Sequence, residues 1–338
     1  VADGATPRLQ RITDYPALLD AAWAQAHAPR AANAPTVIST FAGCGGSSLG
    51  YAMAGYRELL AVEWEQNAAE TFRLNFPAVP LYHGDIAKLS VEECLQRAAI
   101  APGELDVFDG SPPCQGFSTV GKRDVGDSRN QLFREYTRLL SGLRPRAFVM
   151  ENVSGMVKGD FKLVFAAILR ALKTCGYRVK ARLLGAHFYG VPQERERMIF
   201  VGIRDDVAAE PSHPSGWSEP VSLVAGLAGL AGLAGVREGF GPTHLAGVRN
   251  EDFENKWRSP LRPCCTVVKS RPPILSFTVG DQREMTPREC ARVGSFPDGF
   301  QFIGGASKAV ERIGNSVPPL LMRSIAAHVR TLLPCLSP

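Results

Sequence analysis

Between Thr36 and Ile203 the sequence alternates short apolar, β-branched runs with segments of helical spacing, and no other feature restricts the fold of this chain as much. The strand candidates lie at 36–40 (TVIST), 59–64 (LLAVEW), 105–110 (LDVFDG), 147–152 (AFVMEN), 179–184 (VKARLL) and 198–203 (MIFVGI). Helical spacing covers 47–55, 67–76, 130–143 and 161–175, the last followed by Gly176. Strands separated by helices pair in parallel, and the crossover helices cover both faces of the sheet. The expectation is a doubly wound, largely parallel α/β sheet.

Outside this stretch the order weakens. Residues 1–34 are rich in Ala, Pro and Arg, carry a short helical segment over 15–26, and read as an N-terminal extension with no assigned chemistry. After Ile203 a stretch containing Pro and Ser leads to GLAGLAGLAG at 226–235, too short for a solenoid, and then to a segment with few clear strands. From Val317 to Leu333 helical spacing returns, so the chain is expected to end by packing back on the first domain. The expected divisions are 1–34 (extension), 35–203 (α/β domain), 204–299 (smaller irregular domain) and 300–338 (returning segment).

Bulk properties narrow the classes further. With 45% hydrophobic and 21% charged residues the 338-residue chain is ordinary for a globular protein. No apolar run reaches membrane-spanning length and the N-terminus lacks a secretory stretch, so a cytoplasmic location without a membrane partner is expected. Eight cysteines with no CxxC pair fit neither a zinc site nor a disulfide framework, which points to reduced thiols and no metal. A net charge of +5 permits a polyanionic partner without requiring one.

The run TVISTFAGCGGSSLGYAMAG is a strand, a glycine loop and a helix, in which Gly43, Gly45 and Gly46 let the backbone approach a ligand at the helix N-terminus. No Gly-Lys-Ser/Thr follows and the spacing departs from GxGxxG, so phosphate is not the expected ligand. The second strand ends in Glu63-Trp64, where a carboxylate can accept from both ribose hydroxyls and an indole can stack on adenine. Asp85, in YHGDI, is placed to meet the adenine amino group.

In FDGSPPCQGFS a strand runs into two prolines and then Cys114, presenting a thiol at the carboxyl edge of the sheet, where open α/β sheets bind ligands. The strand RAFVMENV brings Glu151 to the same edge. Attack by sulfur on an electron-poor ring needs a proton delivered to that ring, and a partly desolvated glutamate can supply it. Arg195 and Arg197, in QERERMIFVGI, alternate onto one face, where they bind an exocyclic carbonyl or phosphate if they line the crevice and pair with Glu194 and Glu196 if they do not.

At these residues the chain resembles the bacterial DNA (cytosine-5)-methyltransferases of restriction-modification systems. FAGCGG, VEW, GDI, SPPCQGFS, MENV, QERER, TPRECARVGSFPD and GNSVPP stand in that family's order from Thr36 onward. The resemblance implies a Rossmann-like methyltransferase domain with a smaller target-recognition domain. It implies S-adenosylmethionine as methyl donor, surrounded by Phe41, Gly43, Glu63, Trp64, Asp85, Ile86, Pro112, Leu132 and Val317, with Asn315 closing the site. Cys114 would attack cytosine C6, Glu151 would contact N3 and the exocyclic amine, and Arg197 would hold O2 with Arg195 in support.

Neither ring atom is reachable inside a duplex, so the resemblance also implies a flipped-out base and double-stranded DNA as partner. Gln115 and Ser118 would lie in a loop closing over DNA. Recognition would belong to the variable region, roughly 204–285, where Arg258, Lys269 and Arg271 are candidate DNA contacts. A monomer is implied, and a cognate restriction endonuclease acting separately is left open. GLAGLAGLAG and the long N-terminus depart from the family pattern.

Three other readings bear on the same residues. A related branch methylates cytosine in tRNA and typically continues Pro-Pro-Cys-Gln with Pro-Phe-Thr; here Gly116-Phe117-Ser118 follows, which favours DNA. A DNA-binding regulator that has lost catalysis is opposed by the presence of Cys114, Glu151 and Arg197 together. A Cys-His hydrolase is opposed because His83 and His187 stand in no hydrolase motif.

Overall fold

The computed structural model describes residues 9–113, 128–153, 161–230, 261–278 and 281–333. Cys114, Gln115, Ser118, Arg258 and the GLAGLAGLAG stretch beyond Leu230 lie outside the described residues.

The branched and aromatic runs form β1 (Thr36–Thr40), β2 (Arg57–Glu63), β4 (Val107–Gly110), β5 (Ala147–Val153), β6 (Tyr177–Gly185) and β7 (Glu196–Arg204), with a short β3 (Leu81–His83). They make one sheet of order β3-β2-β1-β4-β5-β7-β6. Strands β1 to β5 are parallel, whereas β7 is antiparallel to both β5 and β6. The order turns between β1 and β4, which leaves a crevice beyond their carboxyl ends.

The helices are α1 (Tyr15–His27), α2 (Gly46–Met53), α3 (Gln66–Asn75), α4 (Val91–Ala98), α5 (Ser128–Leu143), α6 (Phe161–Thr174), α7 (Leu223–Gly226), α8 (Pro287–Val293), α9 (Ala306–Asn315) and α10 (Pro319–Leu332). Side-chain alternation along the strands sorts the core into two layers. Val37, Val107, Val149 and Val201 pack with α1, α2 and α10. Ile38, Phe108, Phe148 and Phe200 pack with α4, α5 and α6. Both faces are covered, which is why these strands read as continuous apolar runs. Helix α4 escaped the periodicity reading because it has only eight residues, although Ser90 caps it and Glu92 and Glu93 fill its first turn.

Helix α1, in the segment expected as an N-terminal extension, packs on this fold. Asp14 caps α1 through Ala17 N, and Tyr15, Leu19 and Ala22 bury themselves in the layer that holds α2 and α10. The Tyr15 hydroxyl donates to Arg292 O at 3.1 Å, and Gln10 exchanges backbone bonds with Trp217 and Glu219.

Helix α10, in the segment expected to return, lies so close on α2 that a Cβ on Gly50 would meet Met322 Cβ at 2.5 Å. Described residues of the expected 204–299 division join the core of the α/β domain. Val221, Leu223, Cys264, Cys265, Val267, Leu275, Met285 and Phe296 belong to the same apolar cluster as α2 and α10. A hairpin of β8 (Ile274–Thr278) and β9 (Asp281–Glu284) forms a second sheet there. The described cysteines are free thiols.

Candidate active site

The glycine loop leaves β1 through Phe41, whose φ of 55° is uncommon for a residue with a side chain, and reaches α2 through Gly43 and Gly45 at φ 58° and 99°. The three glycines serve different ends. A Cβ on Gly43 would meet nothing within 4 Å, so this residue borders open space. On Gly45 it would strike Phe76, and on Gly46 it would come to 2.6 Å from Val317 O. Gly45 and Gly46 therefore let the loop seat on α3 and on the segment after α9.

Glu63 ends β2 with a buried carboxylate that holds this loop. Oε2 accepts from Gly43 N at 2.7 Å, and Oε1 accepts from Trp64 N at 3.0 Å and Glu65 N at 2.8 Å. Beside it the Trp64 indole is 75% exposed, an aromatic face with one side open. Asp85 is exposed and uses one oxygen to cap Ala87 N at 3.0 Å, while Ile86 is buried beneath it. Leu132 is half-buried on α5; Asn315 is exposed at the end of α9, and Val317 is buried two residues on.

At the neighbouring strand ends, Asn152 Nδ2 donates to Pro112 O at 3.0 Å and so fixes the chain as it approaches Cys114. Glu151 pairs with Arg197 across the antiparallel strands, Nε to Oε1 at 2.7 Å, with the two side chains only 11% and 14% exposed. Arg197 Nη1 also donates to Glu196 O at 2.7 Å, a backbone bond, while its ion pair is with Glu151. Around this pair the sequence-predicted residues of β2, β4, β5 and β7 converge on one edge of the sheet.

Arg195, expected in support of Arg197, is turned into the protein interior. Its side chain is buried, with Nη1 donating to Val267 O at 3.1 Å and Nη2 to Gly314 O and Ser316 O at 2.8 Å each. Burial, and then the Arg197 charge, push its pKa down to about 9 against the pull of Glu151, so it stays protonated near neutrality. Gln193, which the sequence did not single out, is buried on the same side and bridges Val293 O and Val267 N. Asp109, also unforeseen, lies buried in β4 and accepts from the Tyr51 hydroxyl at 3.2 Å; burial first, then Glu58 and Glu151, raise its pKa well above the usual carboxylate range.

On the outer side, Val268 and Arg271 bridge to form a turn carrying Lys269, with all three residues exposed. Arg271 approaches Glu284 at only 3.9 Å. The turn rests on Gly314, where a Cβ would overlap the backbone of Val268 and Lys269.

A glycine loop, a Glu-Trp strand end and an acid-arginine pair at one edge of a sheet with an antiparallel seventh strand define a methyltransferase-type α/β enzyme. The same fold is found in a prophage-encoded protein of E. coli assigned as a DNA modification methyltransferase, with a TM-score of 0.73, 26% identity, and coverage of 88% of this chain and 99% of that one. The S. pombe Dnmt2 methyltransferase, at 19% identity and TM-score 0.63, shares the fold over 88% of this chain and 98% of its own.

The family described as C-5 cytosine-specific DNA methylase matches residues 35–224 and 244–331. The type II methyltransferase M1.HphI of Haemophilus parahaemolyticus is 35% identical over 87% of this chain and 86% of its own. M.NgoPII of Neisseria gonorrhoeae is 32% identical over 91% and 99%. This chain belongs to the C-5 cytosine-specific DNA methylase family and is a DNA (cytosine-5)-methyltransferase.

Proposed function

We propose that this chain transfers a methyl group from S-adenosylmethionine to C5 of a flipped-out cytosine within a short sequence of double-stranded DNA, through a covalent adduct between Cys114 and C6. The observation that carries the reading is the Glu151–Arg197 pair at the sheet edge where Pro112 and Pro113 lead into Cys114. Gly43 bordering open space, the buried Glu63 carboxylate and the exposed Trp64 indole fit an adenosine group. Phe41, Asp85, Ile86, Pro112, Leu132, Asn315 and Val317 would complete its walls. When bound, S-adenosylmethionine supplies an electrophilic methyl group.

The residues of this chain would do the rest. Cys114 thiolate adds to C6, opening the C5–C6 double bond and making C5 nucleophilic. Glu151, which takes up a proton from solvent as Arg197 turns to bind O2, delivers it to N3 and holds the exocyclic amine. Once C5 carries the methyl, its proton passes to solvent, the sulfur leaves as thiolate, the double bond returns and the N3 proton goes back to Glu151. Asn152 keeps the Cys114 approach in place through Pro112. Lys269 and Arg271, with Gln115, Ser118 and Arg258, would contact DNA, the enzyme acting as a monomer and any cognate endonuclease acting separately.

Incubation of the purified protein with unmethylated genomic DNA and S-adenosylmethionine, followed by bisulfite mapping beside a Cys114→Ala control, tests this. Methylation at one short motif, absent in the control, is expected. Folded protein that methylates tRNA but not DNA would overturn the substrate, and methylation by the control would overturn the adduct.

A further inference from the structure

The cofactor-side loop and the DNA-side turn share one buried guanidinium. Arg195 donates to Gly314 O and Ser316 O, which flank Asn315, and to Val267 O, directly before the Val268–Arg271 turn. The Gly314–Ser316 segment rests in turn on the glycine loop: Ser316 Oγ lies 3.2 Å from Cys44 Sγ, and Gly46 is packed under Val317 O. Arg312 extends the connection by pairing with Glu65 at 2.9 Å, and Glu65 N is bound to Glu63. Gly314 itself touches the backbone of the turn. A planar fork bound to three carbonyls fixes their separations together, so neither wall shifts without the other in a close-packed interior.

We propose that Arg195 is a positioning residue that couples the two ligands. By holding Gly314 and Ser316 on the cofactor side and Val267 beneath the turn, it makes occupation of the cofactor site favour the DNA-bound placement of the turn, and the reverse. This rests on the methyltransferase reading above. Ordering one wall lowers the entropy lost when the second ligand orders the other, and by linkage the factor is the same in both directions.

Calorimetry of S-adenosylhomocysteine binding, with and without saturating unmethylated sheared genomic DNA, reads this factor. In the wild-type protein DNA tightens the affinity on the order of 5- to 150-fold, the usual range for such coupling. In Arg195→Met the factor falls to below about twofold while affinity without DNA stays within about threefold, and Arg195→Lys, with its compact ammonium, restores part of it. If Arg195→Met does not fold, Gly314→Ala carries the test, because it pushes the turn away with Arg195 intact; the same loss is expected. A wild-type factor of one, or a wild-type factor retained in the variants, overturns the inference. Absence of 5-methylcytosine in the mapping experiment sinks the methylation reading instead, so the two failures are distinguishable.

Discussion

Glu63→Gln isolates the carboxylate that shapes the glycine loop. The wild-type group accepts three backbone N–H bonds, from Gly43 on one oxygen and from Trp64 and Glu65 on the other. An amide has one acceptor oxygen. If that oxygen keeps Trp64 and Glu65, the new NH2 faces the Gly43 N–H, donor against donor. A hydrogen bond to a charged acceptor contributes about 1.5–3 kcal/mol, which at 1.4 kcal/mol per decade is a loss of about 10- to 100-fold in S-adenosylhomocysteine affinity. Because Gly43 borders open space, water can take up its orphaned N–H in the free protein, and the stability loss should be smaller, about 1 kcal/mol. Calorimetric titration and urea unfolding measure the two effects. Trp64→Ala is the companion: loss of a stacking face costs about 1–3 kcal/mol of affinity, and the 75% exposed indole should change stability by no more than about 0.5 kcal/mol. A Glu63→Gln affinity within about threefold of wild type would refute the assignment of this loop to the cofactor.

Arg197→Met leaves the buried Glu151 carboxylate without its partner, so chemical denaturation should register a loss of about 3 kcal/mol. Methylation in the same variant should fall at least about 100-fold, with S-adenosylhomocysteine affinity retained. Burial raises the Glu58 carboxyl from 4.5 to about 7, opposed by a hydrogen bond from Ser48. The native protein therefore keeps a proton on Glu58 that the unfolded chain releases, and the stability this group contributes is full below pH 4.5 and declines as pH rises to about 7. Urea titrations across that window should show wild type losing on the order of 2–3 kcal/mol more than Glu58→Gln; equal slopes would contradict the linkage. Leu19→Ala should destabilise the whole protein by about 2–5 kcal/mol, as measured by urea unfolding, whereas a helix outside the core would give almost no change.

The candidate site was legible where a motif sits at the end of its own strand. Glu63, Trp64, Glu151 and Arg197 could be placed because strand runs point at them and α/β sheets bind ligands at carboxyl edges. What could not be read is set by tertiary closure. The sequence treats Gly43, Gly45 and Gly46 alike, and only the proximity of Phe76 and Val317 separates packing glycines from the one bordering open space. Alternation puts Arg195 on the same face as Arg197, but whether that face meets solvent, substrate or protein depends on the 264–267 and 314–316 segments, distant in sequence. For α1, an Ala-rich amphipathic segment gives no sign of what it packs against until Tyr15 finds Arg292 O.

The antiparallel seventh strand explains why two such different arginines come from one motif. A parallel β7 would deliver its last residues, near Ile203 and Arg204, to the carboxyl edge of β5. Reversed, it brings its first residues there, and Arg197 falls opposite Val153 and within reach of Glu151. The chain just before β7 then lies between the sheet edge and the returning C-terminal segments, so Gln193 and Arg195 meet backbone carbonyls of α8, of residue 267 and of the 314–316 loop. One stretch of five residues thus supplies a crevice cation at its end and two buried tethers before it. Moving the stretch by a single residue would exchange the half-buried Glu194 and the exposed Glu196 for the buried side chains, placing like charge beside Glu151 and leaving three carbonyls without a donor. A one-residue insertion before Arg197 should therefore abolish the Glu151 pair and the Arg195 tethers together.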